Sequence, residues 1–282
     1  MARRTRTTII AGVAAGVAAA WLTTVVLKAR RVRVEEVSVS SPYLPLSFDG
    51  TRIVFVSDIH AGPFVSPDRM ARIVDMVNGL TPDILILGGD NVGGRRRGDE
   101  IFYPEAKRFR ANLAKIAVLG NHDAWEGVAN ARRGLANAGI TLLENENLSV
   151  AKNSERIIIA GLEDLWTAGP DIKKAAKGVK RNDFAILVTH NPDELARSLP
   201  PSGHLWNLAL AGHTHGGQVT FFGKGLTRPT HFGQRYRTGW RTEHGVPILV
   251  SNGVGMVTVP FRLFATPEVH VITLMKGDAG ER

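Results

Sequence analysis

Five apolar runs in this chain each stop at a segment rich in aspartate, asparagine or histidine. Arg52-Ile53-Val54-Phe55-Val56-Ser57 leads into Asp58-Ile59-His60, and Asp83-Ile84-Leu85-Ile86-Leu87 into Gly88-Gly89-Asp90-Asn91. Ile116-Ala117-Val118-Leu119 leads into Gly120-Asn121-His122-Asp123, and Phe184-Ala185-Ile186-Leu187-Val188 into Thr189-His190-Asn191. Leu208-Ala209-Leu210-Ala211 ends in Gly212-His213-Thr214-His215-Gly216. Continuous aliphatic runs of this length, without polar alternation, read as strands buried on both faces. Ile157-Ile158-Ile159-Ala160 and Ile248-Leu249-Val250 belong to the same set.

Helical patterns fill the gaps. The stretch 66–78 opens with Ser66 as N-cap and Pro67 at the first helical position, keeps Met70, Ile73, Val74 and Val77 on one face, and stops at Gly79. Similar patterns lie near 100–114, 127–138, 170–178 and 192–198. Alternating strands and helices predict an α/β layered domain. In open α/β sheets ligands gather beyond the carboxyl ends of the strands, so the five polar segments should converge on one crevice. Taken singly, each is an ordinary polar turn; five in succession are a binding site. Residues two apart in extended chain point the same way, which makes Asp58 with His60, and His213 with His215, natural pairs. Gly89, Gly120 and Gly212 precede Asp90, Asn121 and His213 and allow the close backbone approach of a crowded centre.

The chain has 282 residues and no cysteine, which excludes disulfides, thiolate zinc sites, iron–sulfur clusters and cysteine nucleophiles. Any metal sits on nitrogen and oxygen. The formal net charge is +9, but residues 1–36 hold seven basic side chains (Arg3, Arg4, Arg6, Lys28, Arg30, Arg31, Arg33) against Glu35 and Glu36. About half of the excess therefore lies in that stretch, and the mildly basic remainder shows no stripe of the kind that binds nucleic acid.

No charged residue occurs in 7–27. At 1.5 Å per residue such a helix spans about 30 Å, enough for a hydrocarbon core, so 1–36 reads as a transmembrane anchor with basic flanks, 37–50 as a connector and 51–275 as the catalytic domain. A cleaved signal peptide, with Ala18-Ala19-Ala20 as its small-residue site, is the alternative. Arginines and lysine on both flanks leave the side of the membrane undetermined. The basic cluster at 28–33 suits anionic lipid head groups.

The five segments, in order, resemble the Asp-x-His, Gly-Asp, Gly-Asn-His-(Asp/Glu), His and Gly-His-x-His motifs of the calcineurin-like metallophosphoesterases, over roughly residues 50–275. With the N-terminal apolar run, Gly216-Gly217-Gln218 and the Ser251-Asn252-Gly253 turn, the chain is most similar to the small membrane-anchored phosphodiesterase and UDP-diacylglucosamine pyrophosphatase-like branch. The resemblance implies a layered β-sandwich flanked by helices and two divalent cations. It places Asp58, His60 and His215 on one cation, Asn121, His190 and His213 on the other, and Asp90 between them. His122 is then the catalytic histidine outside the ligand set. Imidazole with carboxylate and amide oxygen suits manganese, iron or zinc. Two such cations about 3.5–4 Å apart turn a shared water into a hydroxide nucleophile for in-line displacement at phosphorus.

The implied function is phosphodiester or pyrophosphate hydrolysis of a lipid-linked or membrane-proximal substrate. The rival readings are a phosphomonoesterase or nuclease acting on soluble substrates, and a metal-stabilised binding scaffold without turnover. No partner protein is inferable. Asp123 is read either as orienting the His122 imidazole or as a turn residue. Arg95-Arg96-Arg97 is a candidate anion contact or a solvated loop. The aromatic and basic residues of 221–241 suit either a substrate-covering loop or core packing, and His231 is the one histidine outside the motifs considered for substrate contact.

Overall fold

The computed structural model describes residues 31–94, 96–199, 205–221, 224–225 and 230–277, with isolated positions at 16, 20, 23 and 24. The apolar run at 7–27 falls almost entirely outside these residues. Among the described residues no helix is long and apolar enough to cross a membrane.

The chain runs through β1 (Arg33–Ser41), a 3-10 turn at Leu46–Phe48, β2 (Arg52–Val56), α1 (Pro67–Gly79), β3 (Ile84–Leu87), α2 (Arg96–Ala106), β4 (Ala114–Ala117), α3 (Asn121–Asn137), β5 (Thr141–Leu142), β6 (Glu146–Lys152) and β7 (Glu155–Gly161). It continues through α4 (Ile172–Ala175), β8 (Ala185–Val188), α5 (Asp193–Ser198), β9 (Leu208–Ala211), a 3-10 turn at His215–Gly217, β10 (Thr220–Phe221), β11 (Lys224–Gly225), β12 (Gly239–Glu243), β13 (Val246–Val250) and β14 (Glu268–Lys276).

Two six-stranded mixed sheets result, in the orders β1-β14-β2-β3-β4-β5 and β12-β13-β9-β8-β7-β6. Strands β2 to β5 are parallel, as are β7, β8, β9 and β13. Antiparallel neighbours flank both sets, through β14 in one sheet and β6 and β12 in the other.

Alternation along each strand builds the layers. Ile53, Phe55, Ile84 and Ile86 face Ile159, Ile186, Leu208 and Leu210 between the sheets. Val54, Val56, Leu85 and Leu87 face outward onto Met70, Ile73, Val77, Phe102 and Leu135 of the helices. On the far side Ala160, Leu187 and Ala209 pack with Ala175, Leu195 and Trp206. Each fully buried aliphatic side chain contributes about 1.5–3 kcal/mol, so both faces of these strands are held by packing.

The apolar runs all form strands, shifted by one or two residues at their ends. The helix expected at 66–78 is α1, with the Ser66 hydroxyl accepting from Arg69 N at 3.3 Å. Four expectations need correction. Residues 33–41, assigned to the basic flank and connector, form β1 alongside β14 in nine-residue parallel register. The helix placed near 127–138 begins at Asn121 and bends at Gly127, where φ is 128°. The pattern at 170–178 yields one turn only, and α2 stops at Ala106 rather than near 114.

Candidate metal centre

All five polar segments emerge at the same edge of the two-sheet core. Backbone bonds tie them together: Asp58 N donates to Gly89 O (2.9 Å), His60 N to Asp90 O (2.9 Å), Gly212 N to His190 O (3.0 Å), and Gly255 N to Asp58 O (2.7 Å). The chain reaches this convergence by strained turns. Asp58, His60, Asp90, His213 and His215 all have φ between 49° and 72°. The left-handed region costs a non-glycine residue on the order of 1–3 kcal/mol, and clusters of such residues mark functional sites. Asp58 and His60 are thus neighbours in a tight turn rather than in extended chain.

Glycine fits the crowding. A side chain at Gly89, itself at φ 89°, would meet Gly120 N and His190 Nδ1, each 2.7 Å away. At Gly120 it would collide with the Asp90 carboxylate, and at Gly212 with that of Asp58.

The expected residues come together. Ligand-type atoms of Asp58, His60 and His215 lie within 4.8 Å of one another, as do those of Asp90, His190 and His213, and those of His60, Asp90 and His122. Asp90 Oδ2 is 3.4 Å from His60 Nε2 and 3.2 Å from His190 Nε2, so it stands between the two groups. His213 and His215 point into different groups; spacing alone had paired them. All but His122 are buried, and His122 is half-buried at the rim.

Outer partners aim these side chains. His190 Nδ1 bonds Gly88 O at 2.9 Å, which turns Nε2 toward Asp90. Asp58 accepts from Ser57 Oγ (2.6 Å) and from His213 N (3.0 Å). His122 N, in the first turn of α3, donates to Asp90 Oδ1 at 2.8 Å, placing the carboxylate at the positive end of a helix. Arg262, buried against the site, presents Nη2 to His215 Nδ1 at 3.0 Å and Nε to Gly255 O at 2.8 Å. Burial, partly offset by Asp58 and Glu268, brings its guanidinium down to about 10.

The electrostatics without cations are unsettled. Burial raises Asp58 to about 6, despite the opposing pull of His190. Burial would raise Asp90 as well, but His190, His60 and His122 hold it well below the usual carboxylate range. Burial would lower His190, yet the Asp90 charge and hydrogen bond lift it to about 10. His60 falls to about 3, chiefly by burial.

The donors fit divalent cations. Two imidazole nitrogens face each other at 2.9 Å (His60 and His215) and two more at 3.2 Å (His213 and His190). The Asn121 side-chain oxygen is buried with no hydrogen-bond partner. An orphaned acceptor, apposed imidazoles and two buried carboxylates make a costly cluster in the absence of positive charge, and bound cations would satisfy all of them. Proton loss on loading would follow, since ligating imidazoles must be neutral.

A cavity of about 370 Å³ opens onto the cluster, lined by Asp90, Asn121, His122, His213 and His215 and also by Trp125, Trp166, Val219, Val257 and Val259. The two tryptophans escaped the sequence reading; Trp125, three residues beyond His122, was the more findable. Asp123 does not orient His122. Its oxygens accept from Asn91 N, Val92 N and Gly120 N at 2.9–3.1 Å, so it stitches the Asp90 loop to the start of α3. Burial, then the Asp90 charge, raises it to about 7.

The 221–241 segment braces the site instead of covering it, among its described residues. Tyr236 is buried, and Arg237 Nη1 donates to Gly216 O at 2.6 Å behind His215. Arg97 and His231 do not line the cavity.

A two-sheet core presenting buried imidazoles and carboxylates at its edge, arranged for two divalent cations, defines a metal-dependent hydrolase of phosphate esters. The comparison with known proteins is specific: residues 51–217 match the calcineurin-like phosphoesterase family. The chain belongs to that family. It is 31% identical over 255 residues to the uncharacterized metallophosphoesterase YkuE of Bacillus subtilis (strain 168), covering 88% of this chain and 87% of that one. It is 29% identical to a transmembrane protein with metallophosphoesterase domain from Danio rerio, covering 86% of this chain and 57% of the relative. Among solved structures, the 5'-nucleotidase precursor from Thermus thermophilus aligns with 80% of this chain and 54% of its own, at 15% identity and a TM-score of 0.47.

Proposed function

We propose that this phosphoesterase cleaves a phosphodiester or pyrophosphate bond in a lipid-linked or membrane-proximal substrate. The observation that carries the diester reading is the cavity. Its described lining residues include no lysine or arginine, and most of the surface lining it is apolar. A terminal phosphate dianion is ordinarily gathered by guanidinium or ammonium donors, whereas a diester carries one charge and brings a second substituent that needs room. The apolar run at 7–27 and the transmembrane relative support a substrate near the bilayer.

In this reading Asp58, His60 and His215 hold one cation, Asn121, His190 and His213 hold the other, and Asp90 serves both. The cations supply Lewis acidity toward the phosphoryl oxygens and acidify water. Asp90, fixed by His122 N, keeps the two ligand groups in register. His122, at the cavity rim, gives a ring proton to the ester oxygen as the bond to phosphorus breaks, and water supplies the oxygen that replaces it.

Turnover by the full chain decides the matter. Loaded with manganese, it should hydrolyse an aryl phosphodiester and a nucleoside-diphospho-lipid faster than an aryl phosphomonoester, and lose activity on chelation. Monoester preference, or metal-replete protein without turnover, overturns the proposal.

A further inference from the structure

Trp125 and Trp166 stand on the cavity with 61% and 47% of their surface exposed. Exposed indoles placed together on a pocket are seldom incidental. The Trp125 ring meets the His122 ring at a centroid distance of 4.9 Å and an angle of 61°, and Trp166 meets His213 at 4.4 Å and 87°. One ring therefore flanks the candidate proton donor and the other a candidate ligand, and both line the same cavity.

The Trp166 loop is held far more firmly than its exposure demands. Asp164 Oδ2, buried, accepts from Trp166 N (3.0 Å), Thr167 N (3.1 Å) and Thr167 Oγ1 (2.9 Å). Asn145, buried and at φ 58°, accepts from Glu163 N (3.1 Å) and Asp171 N (2.9 Å) and donates to Gly169 O (2.7 Å). The loop is thus pinned at its start, middle and end. Core packing does not explain this, because the ring it carries is half in solvent. Trp125 is held by the first turn of α3, ahead of the bend at Gly127. Rigid aromatic surfaces lose little entropy when they bind, which is why recognition sites present them. Val219, Val257 and Val259 complete an apolar wall beside the rings.

We propose that Trp125 and Trp166 form a subsite for a flat aromatic group attached to the substrate phosphate, such as an aryl ring or a nucleobase. This deepens the diesterase reading and rests on it for the position of the phosphate. The subsite selects by stacking, so it raises affinity for aromatic substituents and leaves small alkyl ones unaided.

Methyl(phenyl)phosphinate and dimethylphosphinate test it, since both present the singly charged PO2 group of a diester and neither is hydrolysed. Titrated by calorimetry into the manganese-loaded full chain, methyl(phenyl)phosphinate should bind at least tenfold tighter. Trp125→Ala and Trp166→Ala should each cut that ratio to threefold or less, with dimethylphosphinate affinity and bound manganese unchanged, while Trp166→Phe keeps most of the preference. A wild-type ratio near one, a ratio that survives both alanine substitutions, or a proportional loss for both ligands overturns the subsite. The readout is binding, so failure of the hydrolysis assay above and failure of the subsite are separate results.

Discussion

Substituting His122 by alanine isolates the step on which the proposed chemistry turns. The ring is half-buried at the cavity rim, 4.7 Å from the His60 ring and 4.9 Å from that of Trp125 by centroid. Its removal leaves a dent open to solvent, so the folding cost should stay within about 1 kcal/mol. The catalytic cost is larger. A positioned general acid is worth about 10²–10⁴ in rate, or about 2.7–5.5 kcal/mol of barrier. The loss should fall on kcat with KM nearly unchanged, because the interaction belongs to the transition state. It should also grow with the basicity of the leaving oxygen: an aryl diester whose phenolate leaves readily should lose little, and an alkyl diester should lose the full factor. Kinetics on the two esters, beside elemental analysis of bound metal, separate the alternatives. Because His60, Asp90 and His122 also lie within ligand distance of one another, loss of metal in the variant would make His122 a ligand and refute the reasoning. So would an equal rate loss on both esters.

Three other substitutions probe the surrounding architecture. Asp90→Asn removes the charge between His60 and His190, and bound manganese per chain should fall from two toward one or none; retention of both would deny Asp90 its shared role. Gly120→Ala forces a methyl group into the Asp90 carboxylate and should lower the urea midpoint by the equivalent of about 1–3 kcal/mol together with metal content, whereas an unchanged midpoint would mean the close approach is slack. Glu268→Gln tests a group away from the cations. Burial raises Glu268, but hydrogen bonds and charge from His270, with the Asn252 amide and Arg33, hold it net below its ordinary 4.5. A carboxylate depressed in the fold contributes stability that is present above 4.5 and lost as pH falls through the lower folded value. The wild-type advantage over the variant in urea should therefore be full at pH 7 and shrink below pH 4.5; an advantage constant with pH would show packing alone.

The elements that sequence made legible are those whose burial is two-sided. Each continuous aliphatic run, such as Ile84-Leu85-Ile86-Leu87, has sheet core on one face and helices on the other, and therefore advertises itself without alternation. Edge strands carry no such signature. β1 reads Arg-Val-Glu-Glu-Val-Ser-Val-Ser-Ser with mostly part-exposed positions, and its place beside β14 is set by a partner more than 220 residues away in sequence. β6 is likewise half-solvated and held by β7. The start of α3 was missed for another reason. Gly120, Asn121 and Asp123 look like a turn, and Asp123 is in fact bound back to Gly120 N across the first helical turn while also gripping the Asp90 loop. Helix start and interloop clamp use the same carboxylate, and only the second of those tasks needs the fold to be seen.

For the site, residue type carried more information than spacing. Asp58, His60, Asp90, Asn121, His190, His213 and His215 are all polar groups that burial would penalise heavily unless something charged were bound among them, and that cost is what makes their repetition at strand ends meaningful. Spacing was right for Asp58 and His60, which share one group, and misled for His213 and His215, which enter different ones: five of the eight candidates sit at positive φ, so extended-chain geometry does not decide which residues two apart meet. Trp166 had no signal of either kind. An exposed tryptophan in a loop costs nothing that sequence can register, and its significance lies in Asp164 and Asn145, which hold the loop still from positions 2 and 21 residues away. Reaction chemistry in this fold is written in residues that would be unstable without their ligand; recognition is written in residues that are stable anywhere and matter only because the surrounding hydrogen bonds stop them from moving.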